Sequence, residues 1–254
     1  MRKIVCYLVV GSSWMASLRG FAAAPPPLAG FTRENAVEIM KSAEKIRCLD
    51  QAEVDVTLTN EQDKKKTIYD LNILRSSSRR AFVDFRAPDE ERGRKMLAVD
   101  RNYWSKFPDS KRVVAISRRE MIGNSAFAIA DLFQLDAEAD FDPTVVAKEQ
   151  CDKVACLKLY LKAKHDEAPY AEVYYWVEEK GYFPLKAEFY GDSSKKLKTM
   201  IVESRRPIAG MVRPELARMI DAVTEGHFSL WKTRKMEPRN IPDQVFTKDY
   251  LGRK

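Results

Sequence analysis

The chain has 254 residues, a formal net charge of +7, ten glycines and two histidines. Two histidines leave few candidates for general-base catalysis, and ten glycines leave little material for a glycine-rich phosphate loop. No segment after residue 24 approaches the ~20 uninterrupted apolar residues of a transmembrane helix, so the composition argues against a nucleotide-binding enzyme and against a membrane-spanning helix.

The first 24 residues have the layout of a secretory signal peptide. A basic start precedes an apolar run from 4 to 18, and small residues stand before Pro25. We expect cleavage near Ala23 or Ala24, which removes three basic residues and no acidic one and leaves a net charge of +4. The alternative is a buried N-terminal helix. The mature chain, residues 25–254, is expected to form a single domain.

A helix and a long series of strands follow. Thr32 is expected to open a helix that runs to about Arg47, with one apolar side. From Ala52 onward the apolar residues recur with a period of two, which indicates strands. The predicted strands are 52–59, 68–73, 80–86, 96–99, 103–107, 113–116, 145–149, 154–162, 171–178, 185–190, 197–203, 211–223 and 227–235, about a dozen in all.

The period changes after Ser117. Apolar residues at less regular spacing follow, and Ser125 is a suitable helix cap, so we expect a helical lid over residues 122–135. About a dozen sequential antiparallel strands must curl, because an open twisted sheet of that width leaves long edges uncovered. The predicted fold is therefore mainly β, an unclosed antiparallel β-barrel covered by the N-terminal helix and the lid.

Apolar residues on the concave side of such a sheet, together with those of the lid, are candidates for lining a cavity. The alternative for each of them is core packing against the helices. The candidates are Val56, Leu71, Trp104, Phe127, Ile129, Leu132, Phe133, Leu159, Leu161, Val173, Tyr175 and Phe189.

Cysteine chemistry is confined to a few positions. Cys151 and Cys156 flank a short hairpin turn and are expected to form a disulfide in an oxidising compartment. A zinc pair is the competing interpretation, but it needs two more ligands and only His165 is near. Cys48, near the end of the first helix, is expected to be a small buried residue. We expect no metal and no cofactor.

Catalytic signals are weak. His165 and His227 lack a nucleophile motif around them. The acidic residues between 136 and 142 lack the glycine-containing spacing of an EF-hand, and we expect them to form a solvated linker. Basic pairs and triplets such as Lys64–Lys66 suit anionic headgroups, an acidic partner or simply solvated turns, and export argues against nucleic acid. The sequence therefore predicts no catalytic residues and a protein that is not an enzyme.

Several short motifs, in order, resemble the outer-membrane lipoprotein-sorting proteins, the LolA-like family. They are Met96-Leu97, Tyr103-Trp104, Phe107-Pro108, Arg112-Val113, 121–132, 170–176, 182–185, 195–200, Ile241-Pro242-Asp243, Phe246-Thr247 and Leu251. The resemblance implies an unclosed barrel with a helical lid, located in the periplasm. This agrees with the architecture that the periodicity predicts.

The resemblance also implies a function. Such a carrier takes an acylated lipoprotein or a lipid from an inner-membrane complex, holds the acyl chains between sheet and lid, and moves them toward the outer membrane. The implied partners are the cargo, an inner-membrane transporter and an outer-membrane acceptor, and we expect a monomer. The alternative is a periplasmic lipid-sensing regulator or scaffold protein of the same fold.

Overall fold

The computed structural model describes residues 24–77, 79–133 and 135–253. The expected signal peptide lies outside the described residues except for Ala24. Helix α1 spans Arg33–Arg47, as the sequence predicts. Its N-terminus is a capping box in which the Thr32 hydroxyl accepts from the Asn35 N–H and the Asn35 side chain accepts from the Thr32 N–H.

Thirteen strands form one antiparallel sheet. They are β1 Ala52–Gln62, β2 Lys65–Ser77, β3 Arg80–Ala87, β4 Lys95–Val99, β5 Asn102–Lys106, β6 Val113–Ala115, β7 Phe141–Cys151, β8 Val154–Ala163, β9 Glu172–Glu178, β10 Pro184–Tyr190, β11 Lys196–Ile208, β12 Met211–Asp221 and β13 Phe228–Pro238. The order is β6-β5-β4-β3-β2-β1-β13-β12-β11-β10-β9-β8-β7. The edge strands β6 and β7 do not pair with each other, so the barrel is unclosed, which confirms the predicted fold class.

The concave face of the sheet carries the main core. In β1 the buried residues Ala52, Val54, Val56 and Leu58 alternate with half-buried polar ones, because successive side chains of a strand point to opposite faces. The buried side of α1 and the apolar residues of the lid pack into the same cluster. Helix and lid therefore cover the concave face, as expected.

The convex face of β3–β5 has a smaller core of its own. The C-terminal segment, with a short helix α2 at Lys248–Gly252, packs Ile241, Phe246 and Leu251 onto this face. Trp104 lies in this second cluster, with the Lys248 ammonium 4.4 Å from its ring centroid. The prediction that Trp104 lines the cavity is therefore wrong. Its neighbours Tyr103 and Ser105 are the buried residues of β5, and the period of two turns Trp104 outward.

The lid is largely irregular instead of helical. Its regular element is a 3₁₀ helix at Ile129–Leu132. Ser125 accepts the Phe127 N–H at 3.2 Å, and the Ile122 N–H donates to the Phe127 carbonyl at 2.9 Å. These turn hydrogen bonds occupy backbone groups that an α-helix would pair four residues apart. None of the helices in the described ranges is long and apolar enough to cross a membrane.

The acidic segment after the lid is also different from the expectation. Asp140 is buried, and its carboxylate accepts the Arg118 guanidinium at 3.1 Å. Strand β7 begins directly afterwards, at Phe141. Residues 136–140 thus form a packed turn, because paired carboxylates can be buried where unpaired ones cannot. The prediction of a solvated linker here is wrong.

Candidate functional site

The remaining cavity candidates meet inside the barrel. All of them are buried in the main core, with no more than 6% of each residue exposed. They are Val56, Leu71, Phe127, Ile129, Leu132, Phe133, Leu159, Leu161, Val173, Tyr175 and Phe189. The lid side chains fill the concave space, and the cavities left beside them among the described residues include ones of about 60 Å³ and about 20 Å³. In this structure the lid therefore occupies the space on the concave face, and we call this position of the lid closed.

A larger cavity, of about 340 Å³, lies on the other flank of the lid. Ala126, Ala128 and Ala130 of the lid line it, opposite Leu197 and Val223. Within the alternating stretch, Phe127 and Ile129 point into the core while the alanines leave room on the opposite side. We call this space the alanine pocket. The sequence prediction missed it, although the spacing of the three alanines in 126–130 was the available signal.

A buried ion pair fastens the lid beside the alanine pocket. Lys198 of β11 donates from its ammonium to the Asp131 carboxylate and, at 3.3 Å, to the Ala126 carbonyl. Asp131 also accepts from the Tyr170 hydroxyl and, at 2.7 Å, from the Ala128 N–H. Burial and the Asp131 charge raise the pKa of Tyr170 well above its usual range, so the phenol stays protonated as a donor.

Helix α1 holds the other end of the lid. The Arg47 guanidinium is paired with the Glu44 carboxylate at 2.7 Å and donates to the Phe133 carbonyl. Glu44 also accepts from the Leu135 N–H and from the Tyr175 hydroxyl, both at 3.0 Å. Burial, followed by the Glu44 charge, raises the pKa of Tyr175 well above its usual range. At this end the lid is thus tied through its backbone groups.

Arg75 of β2 makes a third tie. It is 1% exposed, and its Nη1 donates to the Leu132 carbonyl at 2.8 Å. Its Nε and Nη2 are buried and have no hydrogen-bond partner among the described residues. Arg75 is one of the residues that line the 60 Å³ cavity, which we call the arginine pocket.

The cysteines and histidines have structural surroundings. Cys151 and Cys156 form a disulfide, as predicted, with their Cα atoms 5.9 Å apart. The Cys48 N–H caps α1 by donating to the Glu44 carbonyl at 2.9 Å. His227 is buried between Asp221 and Asn60, at 2.9 and 3.0 Å. Within the described ranges no group of three or more His, Cys, Asp and Glu side chains is placed to hold a metal ion.

Comparison with known proteins agrees with this architecture. A family model described only as an uncharacterized protein matches residues 77–253. The structure of a LolA superfamily protein from Nitrosomonas europaea is 28% identical, with a TM-score of 0.78 over 85% of this chain and 98% of that chain. A putative outer membrane lipoprotein-sorting protein domain from Vibrio parahaemolyticus is 19% identical, with a TM-score of 0.75 over 87% of this chain and 100% of that chain. The comparison with curated proteins gave no match.

The protein is an unclosed antiparallel β-barrel, and an N-terminal helix and a lid cover its concave face. The chain belongs to the LolA-like family.

Proposed function

We propose that the protein is a periplasmic carrier without enzymatic activity, which binds the acyl chains of lipoproteins or lipids between sheet and lid. The alanine pocket is the observation that carries this proposal. Its volume of about 340 Å³ is in the range of ligand sites, and its walls are mainly apolar side chains. Each methylene that moves from water into such a pocket contributes about 0.8 kcal/mol.

Longer acyl chains need the space that the lid now fills. Ile129, Leu132 and Phe133 of the lid are buried against the concave face, while the alanine pocket begins on the other side of the same segment. Displacement of the lid would join the two spaces and expose an apolar surface that matches an acyl chain. A lid with two positions would then regulate the capture and release of cargo, because the displaced lid can cover a bound acyl chain whereas the closed lid fills its space.

The proposed location rests on the N-terminal layout and on chemistry. The Cys151–Cys156 disulfide suits an oxidising compartment outside the cytoplasm. A lipoprotein-sorting role in the periplasm requires a donor at the inner membrane and an acceptor at the outer membrane, and these are the partners that we propose. We propose further that the carrier is a monomer.

The test uses two valines of matched exposure. Val223 lies at the alanine pocket and is 58% exposed, whereas Val212 is at the opposite end of β12 and is 46% exposed. Val223→Glu places a carboxylate at the pocket, where a bound acyl chain would cover it, and is expected to weaken binding of a fluorescent fatty-acid probe about tenfold or more, since covering an unpaired charge with apolar groups is costly. Val212→Glu is the control and should bind like the wild type. Equal affinities of the two variants, or no binding by folded wild type, would refute the proposal.

A further inference from the structure

The arginine pocket contains a cation without an anion. Arg75 forms no ion pair among the described residues, and its one hydrogen bond there goes to the neutral Leu132 carbonyl. The free Nε and Nη2 belong to one edge of the guanidinium, which is the fork that receives a carboxylate or phosphate through two parallel hydrogen bonds. This edge is buried, and Arg75 lines the 60 Å³ cavity.

The neighbouring carboxylates are already engaged. Asp131 pairs with Lys198, and Glu44 pairs with Arg47. Glu215 lines the arginine pocket, but it forms an ion pair with Arg206 and accepts from the Ser204 hydroxyl, each at 3.2 Å.

Arg213 is another buried arginine, and its donors are satisfied differently. Its donors reach the carbonyls of Lys45 and Ile46 at 2.6 and 2.8 Å, at the C-terminal end of α1 where a cation is favoured. Arg75 therefore differs from Arg213 in having two guanidinium nitrogens without a hydrogen-bond partner among the described residues.

The walls of the arginine pocket are apolar. Val54, Ile73, Met200, Trp231 and Met236 line it together with Arg75. In such surroundings a buried guanidinium without an anion has a large desolvation free energy. The attraction of a bound anion would offset much of it. A volume of about 60 Å³ is that of about two water molecules, so an acyl chain does not fit there while the lid is closed.

We propose that Arg75 binds the anionic head group of the cargo, a carboxylate or a phosphate, while the acyl chain lies between sheet and lid. This inference rests on the proposed function and narrows it: the preferred cargo is an anionic amphiphile, such as a fatty acid or a monoacyl phosphate. A neutral acylglycerol presents only ester and hydroxyl groups, which leave the guanidinium charge unpaired. Arg75 thus selects the cargo by charge.

Selectivity for the head group separates this role from a merely structural one. Delipidated wild type is titrated with palmitate, monopalmitoyl phosphate, monopalmitoyl glycerol and inorganic phosphate, each in competition with a fluorescent acyl probe. We expect at least one of the anionic amphiphiles to bind about tenfold more tightly than the glycerol ester, since one charge-assisted hydrogen bond accounts for that factor. The stronger of the two identifies the head group, and inorganic phosphate alone should not displace the probe.

The variants then locate the selectivity. Arg75→Met removes the charge at similar volume and should bring the affinity ratio close to one, whereas Arg75→Lys should retain part of it. Arg213→Met is the control and should keep the wild-type ratio. Melting curves establish whether each variant is folded. If Arg75→Met does not fold, the ratio of wild-type affinities for anionic and neutral amphiphiles still tests the proposal.

The outcomes are distinct for the two proposals. Equal binding of anionic and neutral amphiphiles by wild type, or an unchanged ratio in folded Arg75→Met, overturns the role of Arg75 and leaves the carrier function standing. Displacement by inorganic phosphate alone shows a free-anion site and also overturns it. Failure of every acyl compound to bind refutes the carrier function itself.

Discussion

Lys198 and Asp131 form an ion pair whose two side chains are each 6% exposed, one on strand β11 and the other on the lid. The pair crosses from sheet to lid at the wall of the alanine pocket. In such surroundings neither charge is stable alone, because removing one partner leaves the other desolvated and unpaired. The position of the lid and the integrity of this pair are therefore coupled.

Asp131→Asn should loosen the lid. It leaves the Lys198 ammonium without its carboxylate, and breaking a buried pair in this way typically costs about 3–5 kcal/mol. Urea unfolding measures the loss, and hydrogen exchange should show faster exchange at the amides of 126–133. The double variant Asp131→Leu, Lys198→Met removes both charges and should recover most of the stability. If the double variant is as unstable as the single one, the unpaired Lys198 charge is not the cause of the lost stability.

Phe133→Ala should shorten the retention of a bound acyl chain. Phe133 is a buried lid residue whose ring lies 5.6 Å from that of Tyr103, edge to face. Truncating a buried Phe costs about 3–5 kcal/mol, and with cargo bound the loss falls on the contact between the lid and the acyl chain. Stopped-flow displacement of a fluorescent fatty acid should show faster dissociation.

Phe82→Ala is the matched control for this change. Phe82 is equally buried but belongs to the convex cluster, away from the lid. It should lower the melting temperature without changing the dissociation rate. Equal dissociation rates for Phe133→Ala and Phe82→Ala would show that the lid does not retain the ligand.

Asp136 should make the protein sensitive to acid. Burial acts to raise the pKa of its carboxyl, but the N–H groups of Ala139 and Arg79 outweigh that effect and hold the pKa below its usual range. A carboxyl with a lowered folded-state pKa contributes stability above its unfolded pKa of about 3.9, and this is lost as pH falls through the folded value. The free energy of unfolding, measured by urea at several pH values, should therefore fall below about pH 4 less steeply in Asp136→Asn than in wild type. Parallel curves would contradict this assignment.

The Cys151–Cys156 disulfide should have a modest effect on stability. It closes a short loop, with a sequence separation of 5. The chain-entropy model gives about 2 kcal/mol for such a loop. Replacing both cysteines by Ser should lower the free energy of unfolding by about this amount and leave acyl binding unchanged. Non-reducing peptide mapping should link Cys151 to Cys156, and a Cys48 bridge to either one would contradict the structure.

The sequence predicts the parts of this fold that local physics determines. Alternating burial identifies β1 from Val54 to Leu58, and Thr32 marks the start of α1 because its hydroxyl can cap the first turn. The Cys151–Cys156 pair was likewise predictable, because the hairpin turn between the two cysteines brings them together.

Other parts depend on tertiary contacts that a sequence does not display. Trp104 looks like a cavity residue by composition, and only the parity of β5 and the C-terminal segment packed on it place the side chain outside. The lid has the apolar content of a helix, yet its backbone pairs with Ser229, Arg75 and Arg47 from distant elements. The orphaned edge of Arg75 follows from the same contacts and has no signal in the sequence.

The central claim is that this chain carries acyl lipids, and native mass spectrometry of gently purified wild type tests it most directly. We expect the folded protein to carry additional mass that matches one acyl lipid, and to lose it when an excess of a fluorescent fatty acid takes its place. Folded protein without bound lipid that neither takes up an acyl probe nor accepts an acylated lipoprotein would contradict the claim.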